Sequence, residues 1–434
     1  MLLYESLAGA LDAIWREEGR SSKVILIEGL LRRLPADLLR PSVRLLLGNI
    51  NPAWERREMN VGPVAVIEVL SDLTSQSAEA INSMLTGGID LGTLGEILLQ
   101  QKSQHAISHA PLDVKLVYDS LCRISTQIGQ RSQYRKKAIL RGILMDAAPV
   151  EAKYIIRAVL GNMHVGLGPS LMKSAIGGAF GVEAKRIEFA YARLPDLGMI
   201  AESAALGTID DVLMAPPVPI RPTLIEKRDY LSDEILHMPG AAYAVKYGGL
   251  RVQVHKIRGE IFAYSSQLRD ITPSFQQLVD DLFGLEGSLV MEGELLLTRD
   301  GAMLPKSDVV KYINRRLRSR RIDVIPSLVV MDLLFHDDLD ITALGYFERQ
   351  KHLSYLLDEI GWDEIHSGEV LLGRTRVWDD IGRIEDDLNK ATASGFEGIL
   401  VHERNASYIP GGRSSCYLIQ CGRKSSIDAA LKDA

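Results

Sequence analysis

Apolar positions in the first half of the chain recur at helical spacing. Tyr154, Ile155, Ala158 and Val159 share one face of a 3.6-residue period, and Gly161, Gly166 and Gly168 then interrupt it. Runs beginning at Ser21, Pro41, Asp90 and Ser132 repeat the pattern, so residues 1–215 are predicted to be a helical domain. Pro216, Pro217, Pro219 and Pro222 then put four prolines into seven residues, which excludes helix and favours an extended crossing. A linker is expected over 216–225, with the domain boundary inside it. From 226 to 434 the texture changes to short runs rich in β-branched and aromatic residues, read as strands: AYAVKYGGLRVQVHKI, GEIFAYSS, SLVMEGELLL, SLVVMDLLF and GILVHE. Between them, Thr272-Pro273 reads as an N-cap followed by proline at the first helical position, and further helices are expected from Tyr346 and Asp379. The order predicts an α domain followed by an α+β domain.

The length, 434 residues, fits two or more cores, and 46% hydrophobic with 24% charged residues fits a soluble globular protein. A net charge of −6 does not announce a nucleic-acid binder, although local basic patches decide that question. Cys122, Cys416 and Cys421 make no disulfide framework and point to a reducing cytoplasm. No further Cys or His cluster completes a zinc site around Cys416 and Cys421. The start carries early acids and no long apolar run, so it does not read as a signal peptide, and no membrane span or membrane partner is expected.

The sharpest motif is Lys246-Tyr247-Gly248-Gly249-Leu250-Arg251 in an apparent strand pair. A lysine flanked by apolar strand residues can be desolvated into a nucleophile. Taken alone, the segment reads first as an exposed strand lysine beside a hairpin glycine, and only the motifs that accompany it change that reading. Downstream stand Glu292-Gly293-Glu294, Met331-Asp332 and Glu397-Gly398, and EAKYIIRAVLGNMHVGLGP lies upstream. In this order the motifs resemble those of the ATP-dependent DNA ligases in an archaeal-looking form, whose lysine motif is K-x-D-G-x-R. The resemblance implies a multidomain protein: an all-α N-terminal DNA-binding domain, then an α+β nucleotidyltransferase (adenylation) domain. It implies ATP as substrate, AMP held on Lys246 as a covalent adenylate, and Mg²⁺. By the same resemblance Arg251, Glu294 and Met331 contact the nucleotide, and Glu294 and Glu397 hold the metal, a hard cation suited to carboxylates. The implied partner is nicked or duplex DNA without sequence preference, bound by a monomer in repair or replication. The family's further oligonucleotide-binding domain is expected to be missing, since only SSIDAALKDA follows the last motif.

The departures from the family pattern cluster on the nucleotide. The motif aspartate is Gly248, the adenine-reading glutamate is Ala244, an expected arginine is Ser266, the stacking aromatic is Met331, and a lysine is His402. The final motif's two lysines fall on Ile419 and Cys421, where cations would face the phosphates, while Arg423 and Lys424 follow closely. Losing one preorganised electrostatic partner typically costs about 10²–10³ in rate. Three readings follow: a ligase with impaired chemistry, an inactive paralogue that only binds DNA, and a nucleotidyltransferase acting on RNA or another acceptor. The helical N-terminal half argues against the third.

Lys311, Arg315, Arg316, Arg318, Arg320 and Arg321 place six basic residues in eleven without an acid. The run is either a solvated helix face or a phosphate-tracking patch, and within this resemblance the DNA reading is preferred. Arg131, Arg135, Lys136 and Lys137 form a second candidate patch. His164, Gly166 and Gly168 occupy what resembles the family's backbone-gripping segment, with a plain helix cap and turn as the alternative.

Overall fold

The computed structural model describes residues 2–55, 57–101, 111–238, 240–276, 278, 282, 284–300, 302–316, 324–358, 372–374, 377–378 and 381–420. The chain divides into two compact units, Met1–Leu213 and Met214–Ala434.

The first unit is built of helices, from Tyr4–Arg16 to Leu197–Leu206, around one apolar core. Local chemistry sets their ends. Asp90 Oδ1 accepts from the N–H groups of Gly92 and Thr93 and caps the helix Leu91–Gln100. Gly161, at φ 74°, closes the helix Pro149–Leu160 in the left-handed conformation that glycine adopts without strain. One helix starts five residues before the proline at which the sequence places it. Ala36–Leu47 runs through Pro41, because Leu39, Val43 and Leu46 keep a buried stripe going across the lost hydrogen bond.

The second unit contains two sheets. Its strands are β1 (Leu224–Arg228), β2 (Ala242–Lys246), β3 (Leu250–Ile257), β4 (Glu260–Ser265), β5 (Leu289–Arg299), β6 (Ala302–Met303), β7 (Ile325–His336), β8 (Leu339–Asp340), β9 (Leu372–Arg374), β10 (Val377–Trp378), β11 (Gly398–His402) and β12 (Arg413–Ile419). The five-stranded sheet has the order β1-β12-β11-β2-β10. The larger sheet runs β4-β3-β5-β7-β8, with β6 on β5 and β9 on β7. The helices Lys306–Arg316, Tyr346–Asp358 and Ile384–Ala393 complete the α+β unit.

Two expectations change here. The proline-rich segment is not a free crossing: Met214 and Ile220 are buried with Val290, Leu334, Phe335 and Tyr408. Gln253 clasps Ile220 as well, accepting from its N–H at 3.0 Å and donating to its carbonyl at 3.3 Å. Residues 224 and 225 already belong to β1. Thr272 is not an N-cap but the first residue of a short 3₁₀ turn, Thr272–Phe275, preceded by Ile271. Its hydroxyl instead accepts from Ala263 N–H at 3.0 Å, tying the turn to β4.

Candidate active site

The pairing register of the smaller sheet sorts its side chains onto two faces. Ala244, Leu400 and Leu418 lie opposite one another, as do Ala242, His402 and Cys416, and Lys246 continues this face at the end of β2. The other face carries Tyr243, Val401, Val245, Ile399 and Ile419, packed on the helix Ile384–Ala393. Lys246 therefore points into a cleft between the sheets rather than into this core.

The larger sheet supplies the opposite wall. Glu292 and Glu294 alternate along β5 and face the cleft together. The register of β5 against β7 skips Met331, so consecutive residues Met331 and Asp332 both line the cleft. The carbonyl exposed by this bulge accepts from Gln350 Nε2 at 2.8 Å. Two motif glycines are needed for close approach. A Cβ on Gly293 would lie 2.3 Å from the Val329 carbonyl oxygen, and one on Gly398 would lie 2.1 Å from that of Ile419.

Charges in the cleft are paired. Lys246 Nζ, only 7% exposed as a residue, contacts Glu294 Oε1 and lies 3.4 Å from Glu397 Oε2. Glu294 is fully buried, and its other oxygen accepts from Tyr247 N–H at 2.8 Å. Arg251 donates to both oxygens of Glu292 at 2.6 and 2.7 Å and to the Thr223 carbonyl at 2.7 Å. Tyr408 Oη donates to Glu292 at 3.3 Å and accepts from Thr223 N–H at 3.1 Å. Arg349 binds Asp332 through both oxygens at 2.9 and 2.8 Å, and also donates to the carbonyls of Leu344 and Ala406. The remaining lining is apolar or neutral. His402 stacks on Tyr346 at 3.8 Å between centroids and meets Cys416 Sγ at 3.5 Å. Burial, reinforced by the charges of Arg349 and Arg251, holds the His402 pKa down at about 3. Burial pushes the Cys416 thiol up to about 12. This Cys–His contact is thus thiol against neutral imidazole, not an activated nucleophile.

A family model described as "DNA ligase N terminus" matches residues 3–177, and one described as "ATP dependent DNA ligase domain" matches residues 222–418. The DNA ligase of Thermococcus fumicolans is 30% identical over 427 residues, covering 96% of this chain and 75% of that protein. That of Thermococcus onnurineus is 32% identical over 413 residues, covering 92% and 71% respectively. That of Methanothermobacter thermautotrophicus is 29% identical over 425 residues, covering 95% and 74%. The chain belongs to the ATP-dependent DNA ligase family.

Within this ligase-family chain, Lys246, Arg251, Glu294 and Met331 all line one cleft, and Glu397 reaches it through Lys246. Glu294 and Glu397, the carboxylates expected to hold Mg²⁺, both stand beside Lys246, and both oxygens of Glu294 are already engaged, one by Lys246 and one by the Tyr247 N–H. Among the described residues no group of three or more His, Cys, Asp or Glu forms a metal cage. The apolar wall of the cleft is formed by Ile225, Met331 and Leu400, and its cations Lys246, Arg251 and Arg349 are each paired with a carboxylate.

The spacing of the last motif misleads. Ile419, read as a phosphate-facing lysine position, is fully buried in the opposite core, and Leu418 occupies the cleft face. Cys421, Arg423 and Lys424 lie outside the described residues. Gly248 has φ +86°, which disfavours the aspartate of the family motif. Ser266 borders Arg251 and Glu292 at a separate small recess.

The basic patches fare differently. Lys311 sits on the helix Lys306–Arg316 and pairs with Asp308 at 2.7 Å. Arg315 and Arg316 end that helix, while Arg318, Arg320 and Arg321 lie outside the described residues. The second patch is largely committed to structure. Arg135 donates to Gln127 Oε1 and the carbonyls of Ile128 and Gln130, Lys136 to the Met59 carbonyl, and Lys137 pairs with Glu68. Gly168 caps the helix Pro169–Phe180, His164 and Gly166 have positive φ, and Lys23 holds the Val165 carbonyl at 3.0 Å. Among the described residues, no helix is long and apolar enough to cross a membrane.

Sequence reasoning missed Arg349, Tyr346, Tyr408 and the pairing role of Glu292. The arginine and tyrosine of Tyr346-Phe347-Glu348-Arg349 carried no signal beyond helical spacing. Tyr408 sat unnoticed inside the Glu397–Ser415 motif.

Proposed function

We propose that this ligase-family chain binds duplex or nicked DNA without sequence preference, and that nucleotidyl transfer through Lys246 is impaired. Attack by Lys246 joins its nitrogen to the α-phosphorus of ATP and expels pyrophosphate, and Mg²⁺ neutralises phosphate charge in such transfers. The attack needs fixed positive partners around the reacting phosphate. The observation that carries the reading is the cleft face of β11 and β12: His402, Cys416 and Leu418 supply no fixed positive charge there. Arg251 and Arg349 are each held by a carboxylate of their own.

Incubation with labelled ATP and Mg²⁺, followed by a denaturing gel, tests the chemistry. Weak label lost in Lys246→Ala supports impaired transfer, and label at ordinary ligase rates overturns it. Absence of label would favour the reading of a pure DNA-binding paralogue. For DNA, replacing Arg315, Arg316, Arg318, Arg320 and Arg321 by Ala should weaken binding and flatten the dependence of log K on log salt. Unchanged binding would make the run a solvated face.

A further inference from the structure

Exposed apolar side chains are ordinary when scattered singly and informative when they gather. Among the described residues the three most exposed large apolar side chains are Ile128 (81%), Val64 (70%) and Tyr134 (70%). All three stand at one place in the first unit. Val64 is in the first turn of the helix Pro63–Thr74, Tyr134 is in the first turn of the helix Ser132–Asp146, and Ile128 is in the loop leading into the latter. The two helix starts are tied together. Gln133 Nε2 donates to the Asn60 carbonyl at 3.1 Å, Lys136 Nζ donates to the Met59 carbonyl at 2.6 Å, and Lys137 pairs with Glu68 at 2.6 Å. Gly62, Ile128, Ser132 and Gln133 line one open concavity there.

The loop that carries Ile128 is braced from within. The guanidinium of Arg135 donates to Gln127 Oε1 at 2.7 Å, to the Ile128 carbonyl at 2.8 Å and to the Gln130 carbonyl at 2.9 Å. Gly129, at φ 77°, makes the turn between them. Arg135 thus fixes the backbone of Ile128 while the side chain stays in water. The charge around this apolar group selects its partner. Arg131, Arg135, Lys136, Lys137 and Arg141 lie in a stretch, 131–145, that contains no acid. Cations at a helix N-terminus oppose the helix dipole instead of complementing it, and neither helix start is capped by a side chain. Lys137 has Glu68, and Glu58 acts on Lys136, but the acceptors that Arg135 and Lys136 bond are neutral oxygens. Such a surface fits a polyanion. One that also offers apolar edges is a nucleic-acid duplex, whose grooves expose sugars and base edges between rows of phosphates.

We propose that Ile128, flanked by Val64 and Tyr134, is an apolar wedge that enters the groove of a DNA duplex and unstacks a base step. The proposal rests on the reading of this chain as a DNA-binding protein and adds a contact that salt does not screen. Arg135 is the positioning residue of the wedge, and Arg131 supplies charge to the phosphates beside it.

Fluorescence anisotropy of the full chain with a short nicked duplex, across a salt series, tests this. Replacing Ile128, Val64 and Tyr134 together by Ser changes only exposed side chains, so the fold is spared. Affinity should fall about tenfold, a gap of about 1.4 kcal/mol, at every salt concentration. The slope of log K against log salt should stay the same, because no phosphate contact is lost. Arg131→Ala should instead flatten that slope. Duplexes carrying 2-aminopurine at successive steps around the nick should brighten with the unmodified chain and stay dark with Ile128→Ser. Arg135→Ala should dim the same signal although Ile128 is still present. Equal affinity of the triple variant and the unmodified chain overturns the wedge, and so does unchanged 2-aminopurine fluorescence. Pelleting with phosphatidylserine vesicles in place of DNA, lost in the triple variant, would also overturn it and assign the surface to a membrane. Absence of DNA binding at every salt concentration defeats the DNA-binding reading itself. Salt-sensitive binding that the triple variant leaves intact defeats only the wedge.

Discussion

Lys246 and Glu397 are joined twice. The Glu397 N–H donates to the Lys246 carbonyl at 2.9 Å, and the Glu397 carboxylate lies 3.4 Å from the Lys246 ammonium. The backbone bond belongs to the end of the β2–β11 ladder, so the sheet itself brings the lysine and glutamate motifs together. Tyr247 and Phe396, their immediate neighbours, meet edge to face at 5.0 Å and brace the same corner.

Removing Lys246 should therefore have two effects. Lys246→Ala abolishes any adenylate label, and it leaves Glu294 buried without its cation. The second unit should lose about 3–5 kcal/mol of stability, the usual consequence of breaking a buried ion pair from one side. Lys246→Ala combined with Glu294→Gln should recover part of that loss without restoring label. Denaturant titration of the two variants checks the stability, and equal midpoints for Lys246→Ala and the unmodified chain would contradict the buried pairing.

Much of this corner was legible in the sequence, because motif spacing survives where strands pair without irregularity. Lys246, Arg251, Glu294 and Glu397 sit on regular ladders or at their ends. The β7 bulge at Met331 shows the limit, since two consecutive cleft residues contradict a period of two and only the register reveals why. Arg349 was invisible for another reason. Its partner Asp332 is on β7 and its other acceptors are the carbonyls of Leu344 and Ala406, so its role depends on contacts distant in the chain. In the first unit, Arg135 and Lys136 looked like a binding patch because charge patterns do not disclose which carbonyls a loop leaves to be satisfied.

Acid should destabilise the second unit through its buried histidines. Burial holds His255 and His402 each at about 3, against an ordinary value of 6.5. Between those values the unfolded chain binds protons that the folded chain refuses, so stability is complete above about pH 6.5 and falls as the pH drops toward 3. His402→Phe keeps a ring against Tyr346 and removes one of the two titrations. Urea midpoints at pH 7 and pH 5 should differ less for this variant than for the unmodified chain. An unchanged pH slope would place the titration elsewhere.

Arg349 should matter to the cleft's framework more than its absence from the motifs suggests. Arg349→Ala strands a buried Asp332 and frees two carbonyls, and is expected to lower stability by about 3–5 kcal/mol. Arg349→Met with Asp332→Leu removes both charges and should be far milder than either single change. Thermal melts of Arg349→Met, Asp332→Leu and the double change form the double-mutant cycle, and additive losses would show that the pair is not coupled.

The face assignment of β12 gives the most direct test of the weakened chemistry. Leu418 and Cys416 share the face of Lys246, while Ile419 packs with Tyr243, Ile384, Leu388 and Ile399 on the other side of the sheet. Adjacent strand positions point in opposite directions, so a lysine has opposite consequences at 418 and 419. Leu418 is buried against Leu400, Cys416, Ile225 and Met331, so Leu418→Lys costs some stability, but its stem runs along this wall and directs the ammonium toward the cleft that these neighbours line. Labelling with ATP and Mg²⁺ should rise above that of the unmodified chain, by up to about 10²-fold if this electrostatic partner is what limits transfer. Ile419→Lys instead forces an ammonium into an apolar cluster, so the second unit should lose several kcal/mol, with no gain in label. Both variants should be compared by denaturant midpoint and by gel. A rise in label from Ile419→Lys, or none from a folded Leu418→Lys, would reverse the face assignment or remove electrostatics as the limiting defect.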